Sequence, residues 1–488
     1  MPFYEILDVQ GPFIQELALA KNVRILCGTY KFTWYGIRQV FQGVIDGNTG
    51  KPYSIYFEES REMDFDGVQA YTLTEVQQRT SNNLNIRDMC LKHLTETQSI
   101  EPASTWNSPL SLPVVVAITW SSKATDPRDS IYGLLGIARH DPGLDVIADY
   151  KWPAEELFIE FARRFMEGSP KELIQEWKSG ICKYFDSLEG LSYLQRPFTS
   201  AIQPELPSWV ADFNSPLVMN RLWSPDFSAG TMNGPPKIIP SSNPLMLHLK
   251  GICCDYAVHV EPRVFEPDQY GVSIRNWIGM MKRMSPAYVA TGEARIEAFW
   301  RTLMTNRQHH SSQKPGDETK KSFKIMVGTL MALVLDGPGS KDDPGLRNDY
   351  SELQASDISE SLPSFDEIKE ISDEVIKSNP ESPESEKLID LSFMRTETSK
   401  LACSMRQYYT ARTLFTTKYG YLGLAPLTIC PGDEVWIIPG ARVPFILRKL
   451  PNDDSERRTV VGEAYVHGIM HGEVALDHHG EFSPVGLV

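Results

Sequence analysis

The sequence has no leader pattern, no membrane-length apolar run, no paired-cysteine framework and no common catalytic fingerprint. The opening Met1–Gln10 has no basic stretch followed by an apolar core, so a secretory signal is not expected. The longest apolar run, 325–335, is too short to span a bilayer and is interrupted by Gly328 and Thr329, so it reads as a buried helix. Seven scattered cysteines include no Cys-x-x-Cys pair, which suits a reducing, cytoplasmic setting. A net charge of −15 without a basic stretch argues against a nucleic-acid partner. There is no Gly-x-Ser-x-Gly elbow, Gly-x-Gly-x-x-Gly fingerprint or His-Glu-x-x-His motif. Gly337-Pro338-Gly339-Ser340-Lys341 lacks the phosphate-loop spacing, and Asp342-Asp343 beside it would repel phosphate.

What remains is an ordinary globular composition over 488 residues, 41% hydrophobic and 23% charged, enough for several domains. The fold class expected is α+β. The N-terminal and middle regions read as mostly helical, with a small C-terminal β-barrel or sandwich that is discontinuous in sequence. Five segments follow: 1–45, a helix–strand–helix piece; 46–205, helical; 206–265, containing strands; 266–410, a helical insertion; and 411–488, a β domain.

In the first segment, 23–27 is β-prone and Gly28 ends it, while Trp34, Ile37, Val40 and Phe41 recur at helical spacing. A lone strand leaves its backbone groups unpaired, so this piece requires a partner sheet from elsewhere. Further on, Asp126-Pro127-Arg128-Asp129 opens a helical run through Ile131, Leu134, Leu135 and Ile137. Asp126 is the cap, Pro127 the first helical residue and Asp129 the complement to the helix dipole. A helix beginning near Pro153 carries Leu157, Phe158, Phe161 and Phe165 on one face.

Leu245, Leu247 and Leu249 alternate with Met246, His248 and Lys250, a strand pattern that Gly251 is expected to end. The helical insertion has Trp277, Met280, Phe299, Trp300 and Leu303 as core positions. Over 341–400, sixteen acidic residues face seven basic ones, more than half of the net charge. Residues 337–363, rich in Ser, Asp, Pro and Gly, read as a mobile loop. Ser364-Phe365-Asp366-Glu367 after it is a capping-box pattern ahead of Ile368, Ile371, Val375 and Ile376. From Arg412 onward short strands at 414–416, 435–438, 443–450 and 460–466 are separated by turn residues.

Four ordered blocks carry a resemblance. They are Gln15-Glu16-Leu17-Ala18 leading to Leu26-Cys27-Gly28 and Thr33-Trp34; Asp126-Pro127-Arg128-Asp129-Ser130-Ile131-Tyr132-Gly133-Leu134-Leu135-Gly136; Leu206-Pro207-Ser208-Trp209 with Gly292-Glu293 and Phe299-Trp300-Arg301; and a C-terminal set. The last holds Gly420, Gly423, Pro426, Gly432-Asp433, Gly462-Glu463 and Tyr465-Val466-His467-Gly468. Together these blocks resemble the fungal heterokaryon-incompatibility (HET-domain) family. The family's upstream blocks, similar to SYVWG and WIDAICINQ, are not in the chain, and Pro12 stands where the family has Trp. The resemblance therefore implies a chain that begins inside the last part of a HET domain.

It also implies a role similar to nonself recognition and programmed cell death, with an unidentified protein partner and no cofactor. HET domains resemble TIR-type domains, some of which cleave NAD, so Glu16 is the weak catalytic candidate; alone it lacks a pocket, and a carboxylate at a helix surface or in a salt bridge is the better explanation. The chain is thus expected to be a non-catalytic regulatory remnant. A NAD-cleaving TIR-like enzyme would require an upstream HET segment. The other alternative is a metal-dependent hydrolase using His467 and His471, four residues apart, with Glu463 and Glu473 nearby; Gly468 and Gly472 argue against the regular helix such a site needs. Asp126, Arg128 and Asp129 are read as helix capping with an Arg–carboxylate bridge, and Gly420 and Gly423 as turn glycines of positive φ.

Overall fold

The computed structural model describes residues 24–27, 30–33, 112–119, 124–136, 146–167, 206–213, 238–262, 270–307, 314–336, 343–378, 411–451, 456–477 and 482–488, with short pieces at 138, 189–192, 194, 215, 219, 222, 226–231, 401, 404–405 and 408–409. Glu16 lies outside these residues, as do Trp34, Ile37, Val40 and Phe41. The chain divides into two compact units, Met1–Phe185 with Asp212–Leu217, and Asp186–Ala211 with Val218–Val488.

In the first unit β1 (Arg24–Cys27) pairs with β2 (Tyr30–Thr33) in antiparallel register, Cys27 opposite Tyr30. The strand expected to stand alone therefore has its partner two residues downstream. Cys27-Gly28-Thr29-Tyr30 has the spacing of a two-residue hairpin connection, which the helical reading beyond Gly28 overlooked. Helix α1 (Leu112–Thr119) and the single turn α2 (Asp129–Tyr132) follow. Helix α3 (Ala154–Glu167) begins after Pro153 with Glu155 and Glu156 in its first turn, favourable at the positive end of the dipole. Its face of Leu157, Phe158, Phe161 and Phe165 is buried, and Phe213 meets Phe158 and Phe161 edge-on at 5.3 Å.

The second unit combines helices with a mixed sheet. After α4 (Glu189–Ser192) comes the long strand β3 (Leu247–Val260), and then the helical stretch α5 (Tyr270–Arg283), α6 (Arg295–Leu303), α7 (Asp317–Asp336), α8 (Pro344–Ala355) and α9 (Phe365–Ser378). Strands β4 (Arg412–Thr417), β5 (Leu422–Pro426), β6 (Glu434–Ile437), β7 (Phe445–Lys449), β8 (Arg457–Glu463) and β9 (Tyr465–Val466) follow, then helix α10 (Glu473–Asp477) and β10 (Ser483–Leu487).

The eight strands order as β10-β8-β7-β6-β3-β4-β5-β9, and β10 also pairs with β3. Its partners on β3 are 247–251, while β6 takes 252–256 and β4 takes 257–260. The hydrogen-bonded path β3–β6–β7–β8–β10 thus returns to β3. One long strand holds both halves of the sheet, which is why β3 runs through Gly251 and does not end there. A Cβ on Gly251 would lie 2.9 Å from the Trp436 ring and 3.2 Å from the Ile437 carbonyl oxygen, so the glycine lets β6 approach. Ala257, Phe415, Val435, Ile437, Ile446, Val461 and Val466 form the sheet's apolar core.

Around the helices, Trp277 and Phe299 pack edge-on at 5.6 Å, and Met280, Trp300 and Leu303 are buried with them. Residues 344–355, read from composition as part of a mobile loop, are helix α8. Asp343 accepts a hydrogen bond from the Leu346 N–H and Pro344 opens the first turn, so the polar letters there are helix-start chemistry. Among the described residues no helix is long and apolar enough to cross a membrane.

Candidate functional site

The polar side chains singled out in the sequence fall into four separate clusters. In the first unit, Asp126 accepts hydrogen bonds from the Arg128 backbone N–H at 3.0 Å and from its Nε at 2.9 Å, and meets Nη2 at 2.7 Å. Arg128 also donates to the Trp152 carbonyl, and the Tyr150 hydroxyl donates to Asp129 at 2.6 Å. That bond to Asp129, together with burial, raises the Tyr150 phenol to about 12. The Asp126–Arg128 bond in turn holds the Asp126 carboxyl below its ordinary range. The block pins 149–152 to a single helical turn that ends at Tyr132, short of the Leu134 and Leu135 that the apolar spacing included; Ile137 lies outside the described residues.

A sealed ion pair lies in the second unit. Arg412, at the start of β4, meets Glu463, at the end of β8, at 2.7 Å with the two side chains 0% and 1% exposed. Glu463 also accepts from the Leu222 N–H at 2.6 Å, and Arg412 donates to the Tyr408 carbonyl at 3.0 Å. Burial pulls the Arg412 guanidinium down, against the favourable charge of Glu463. Asp433 belongs to a third cluster: it receives Arg448 Nε and Nη2, each at 2.8 Å, and the Cys430 N–H at 2.8 Å. That fork raises Arg448 above its usual value.

The fourth cluster is a relay of side chains beside β9. The hydroxyl of buried Tyr465 stands 2.7 Å from His467 Nδ1, and His467 Nε2 stands 2.6 Å from Glu293 Oε1. Glu293 continues to Arg301 Nε at 3.2 Å, and Thr291 Oγ1 donates to it at 2.7 Å. Burial works against ionising Glu293, but the bonds from His467 and Thr291 and the Arg301 charge outweigh it, and its carboxyl sits below the ordinary range. An ionised carboxylate only accepts, so His467 donates to Glu293 through Nε2. Below the ring, the Tyr288 hydroxyl donates to the His467 carbonyl at 2.8 Å and accepts from the Leu422 N–H at 2.9 Å.

The two histidines weighed as metal ligands therefore have different partners. His467 is a bridge between a phenol and a carboxylate, whereas His471 places Nδ1 2.8 Å from the Asp226 carbonyl oxygen. Among the described residues no three His, Cys, Asp or Glu side chains converge as a metal-holding group. Trp209 is buried and its indole N–H donates to the Leu245 carbonyl at 3.1 Å.

Gly420, Gly432, Gly462 and Gly468 have φ of +92°, +92°, +146° and +88°. Gly423, expected at a positive-φ turn, lies inside β5 instead. Its lack of a Cβ lets the Phe415 ring and the Tyr465 carbonyl oxygen approach to 2.6 Å of where one would stand. Pro426 ends that strand, and its ring fills the space that a Cβ on Gly462 would need. Sequence reasoning missed Arg412, Tyr288 and Glu293 as site residues. A lone charge beside an apolar strand, as at Arg412, is a usable signal of a buried partner, but the partner lies 51 positions away.

The Het-6 beta-barrel domain family model matches residues 341–482. The heterokaryon incompatibility protein 6, OR allele, of Neurospora crassa is 24% identical over 370 residues, covering 72% of this chain and 49% of that protein. The chain is thus similar, over its C-terminal part and across most of its length, to a fungal heterokaryon-incompatibility protein. It spans about half the length of the curated relative it matches. No solved structure matches it. Arg412, Asp433, Glu463, Tyr465 and His467 all lie inside the matched span. Strands β3 and β10 and the relay partners Tyr288 and Glu293 lie outside the matched span, although they complete the same sheet and the same cluster.

Proposed function

We propose that the chain acts in fungal vegetative incompatibility and nonself recognition, coupled to programmed cell death, as a cytoplasmic regulatory or partner-sensing module without chemistry of its own. The observation that carries this reading is the Het-6 barrel match over 341–482, together with similarity across 72% of the chain to a protein named for heterokaryon incompatibility. In the same reading the five-strand circuit β3–β6–β7–β8–β10 is a small barrel, and the helices inserted between β3 and β4 are its partner-facing elaboration.

The non-catalytic half of the proposal draws support from how the polar side chains are spent. Arg412, Glu463, Asp433, Arg448 and His467 each bond to a neighbour inside the fold. Catalytic groups need a reacting atom within reach, and these are occupied by each other.

The test is expression of the chain in fungal strains that differ in incompatibility type, with NAD hydrolysis measured on the purified protein. Growth arrest confined to one strain background, without NAD turnover, is the expected result. Equal growth in every background would remove the incompatibility role, and sustained NAD cleavage would remove the non-catalytic one.

A further inference from the structure

Residues 285–294, between α5 and α6, lie as a strap across the end of β5 and β9. The strap is a closed loop in its own right: Tyr288 N–H donates to the Glu293 carbonyl and Gly292 N–H to the Tyr288 carbonyl, each at 2.8 Å, and Ala287 bridges Ala294. Its fit to the sheet is close. A Cβ on Gly468 would stand 2.3 Å from the Ala290 Cβ, and one on Gly420 would stand 3.2 Å from Val289 Cγ1. Both glycines have positive φ, so the sheet side is shaped to receive the strap.

Two side chains fasten it. Tyr288 bridges the His467 carbonyl and the Leu422 N–H through its hydroxyl, and Glu293 accepts a hydrogen bond from His467 Nε2. We propose that 285–294 is an acid-releasable strap, with protonation of Glu293 as the event that frees it and uncovers the β5–β9 end of the sheet.

The titratable and charged groups around this point are few. His467 and Tyr465 face Glu293 from β9 and its continuation, Tyr288 faces it from the strap, and Arg301 from α6, itself paired with Glu297 at 2.6 Å. Glu473 on α10 adds a more distant negative charge near Tyr465. Protonating Glu293 removes its charge from Arg301 and, with one oxygen now carrying hydrogen, leaves His467 and Thr291 competing for a weaker acceptor. The sign follows from the lowered carboxyl: the strap's contribution is complete above the ordinary carboxylate range and is lost as pH falls through the folded value of Glu293.

Release would leave the Leu422 N–H and His467 carbonyl without the Tyr288 hydroxyl and expose the buried face of Tyr288. An exposed strand end with free backbone groups is a template for pairing with another extended segment.

The experiment is amide hydrogen exchange on the whole chain across a pH series, each amide referred to its chemical exchange rate. As pH falls from about 7 to below the ordinary carboxylate range, the amides of Tyr288, Gly292 and Leu422 are expected to lose protection by roughly tenfold while the β3–β6 ladder keeps its own. Glu293→Gln is expected to abolish that acid step. Thr291→Val, on the exposed side of the strap, removes a donor to the carboxylate and is expected to move the step to higher pH while leaving the fold intact. Loss of strap and ladder protection together would overturn the proposal, as would an acid step that persists in Glu293→Gln or a midpoint unmoved in Thr291→Val.

Discussion

Arg412 and Glu463 meet at 2.7 Å in a place water does not reach, joining the first strand after the helical stretch to the end of β8. Desolvating two charges is costly, and the pair holds because Glu463 has a second donor in the Leu222 N–H and Arg412 a second acceptor in the Tyr408 carbonyl. Replacing one partner by alanine strands the other charge. Arg412→Ala or Glu463→Ala is expected to destabilise the second unit by about 3–5 kcal/mol, read from the urea midpoint. The apolar double replacement, Arg412→Met with Glu463→Leu, is expected to recover much of that loss. Single costs below about 1 kcal/mol would mean that the pair is solvated.

Gly468 and Gly432 have nearly the same φ, +88° and +92°, but differ in what surrounds them. Nothing lies within 4 Å of a Cβ built on Gly432, whereas one on Gly468 would press on Ala290 at 2.3 Å. Gly432→Ala is expected to cost about 1–2 kcal/mol, the left-handed backbone penalty alone. Gly468→Ala adds the expulsion of the strap and is expected to cost about 1–3 kcal/mol more. Thermal unfolding of the two variants side by side checks the order, and equal losses would show that the strap yields without resistance.

The capping box at α9 was legible in full. Ser364 Oγ accepts from the Glu367 N–H at 3.1 Å, and Glu367 Oε2 accepts from the Ser364 N–H at 2.7 Å, as the spacing of the two residues dictates. Ser364→Ala is expected to cost about 1 kcal/mol, and Ser364→Thr almost nothing. A loss under about 0.3 kcal/mol would mean that the helix end is held from elsewhere, by the Tyr350 hydroxyl on the Pro363 carbonyl at 2.7 Å.

Local chemistry was readable and non-local chemistry was not. The Phe face of α3, the α6 core residues and the α9 cap depend on neighbours three or four positions apart, and the sequence spacing carries that information directly. Strands β5 and β10 escaped notice because Gly423 and Pro426 in one, and Pro484 and Gly486 in the other, are turn letters by local rules. Each is tolerated for a reason found only in space, such as the Phe415 ring lying where a Cβ on Gly423 would be. The relay was hidden for the same reason. His467 and Glu293 are 174 positions apart, and local spacing pairs the histidine with His471 while the carboxylate it touches is reached only through the fold.

Cys253, Cys254 and Cys430 offer a test of burial that needs no folding measurement. Cys430 is exposed, while Cys253 and Cys254 sit half-buried on β3. Burial, with the Glu434 charge behind it, pushes the Cys253 thiol up to about 11. Burial pushes Cys254 up further, and its thiol donates to the Val435 carbonyl at 3.2 Å. The thiolate is the reactive form, so alkylation should follow exposure and thiolate fraction together. Iodoacetamide is expected to label Cys430 first at neutral pH. The Cys253 rate should rise about tenfold for each added pH unit until its thiol titrates, and Cys254 should react last. Peptide mass spectrometry reads the order. Labelling of Cys253 as fast as Cys430 at neutral pH would place Cys253 in solvent and remove the packing of β3 against β6 that the sheet requires.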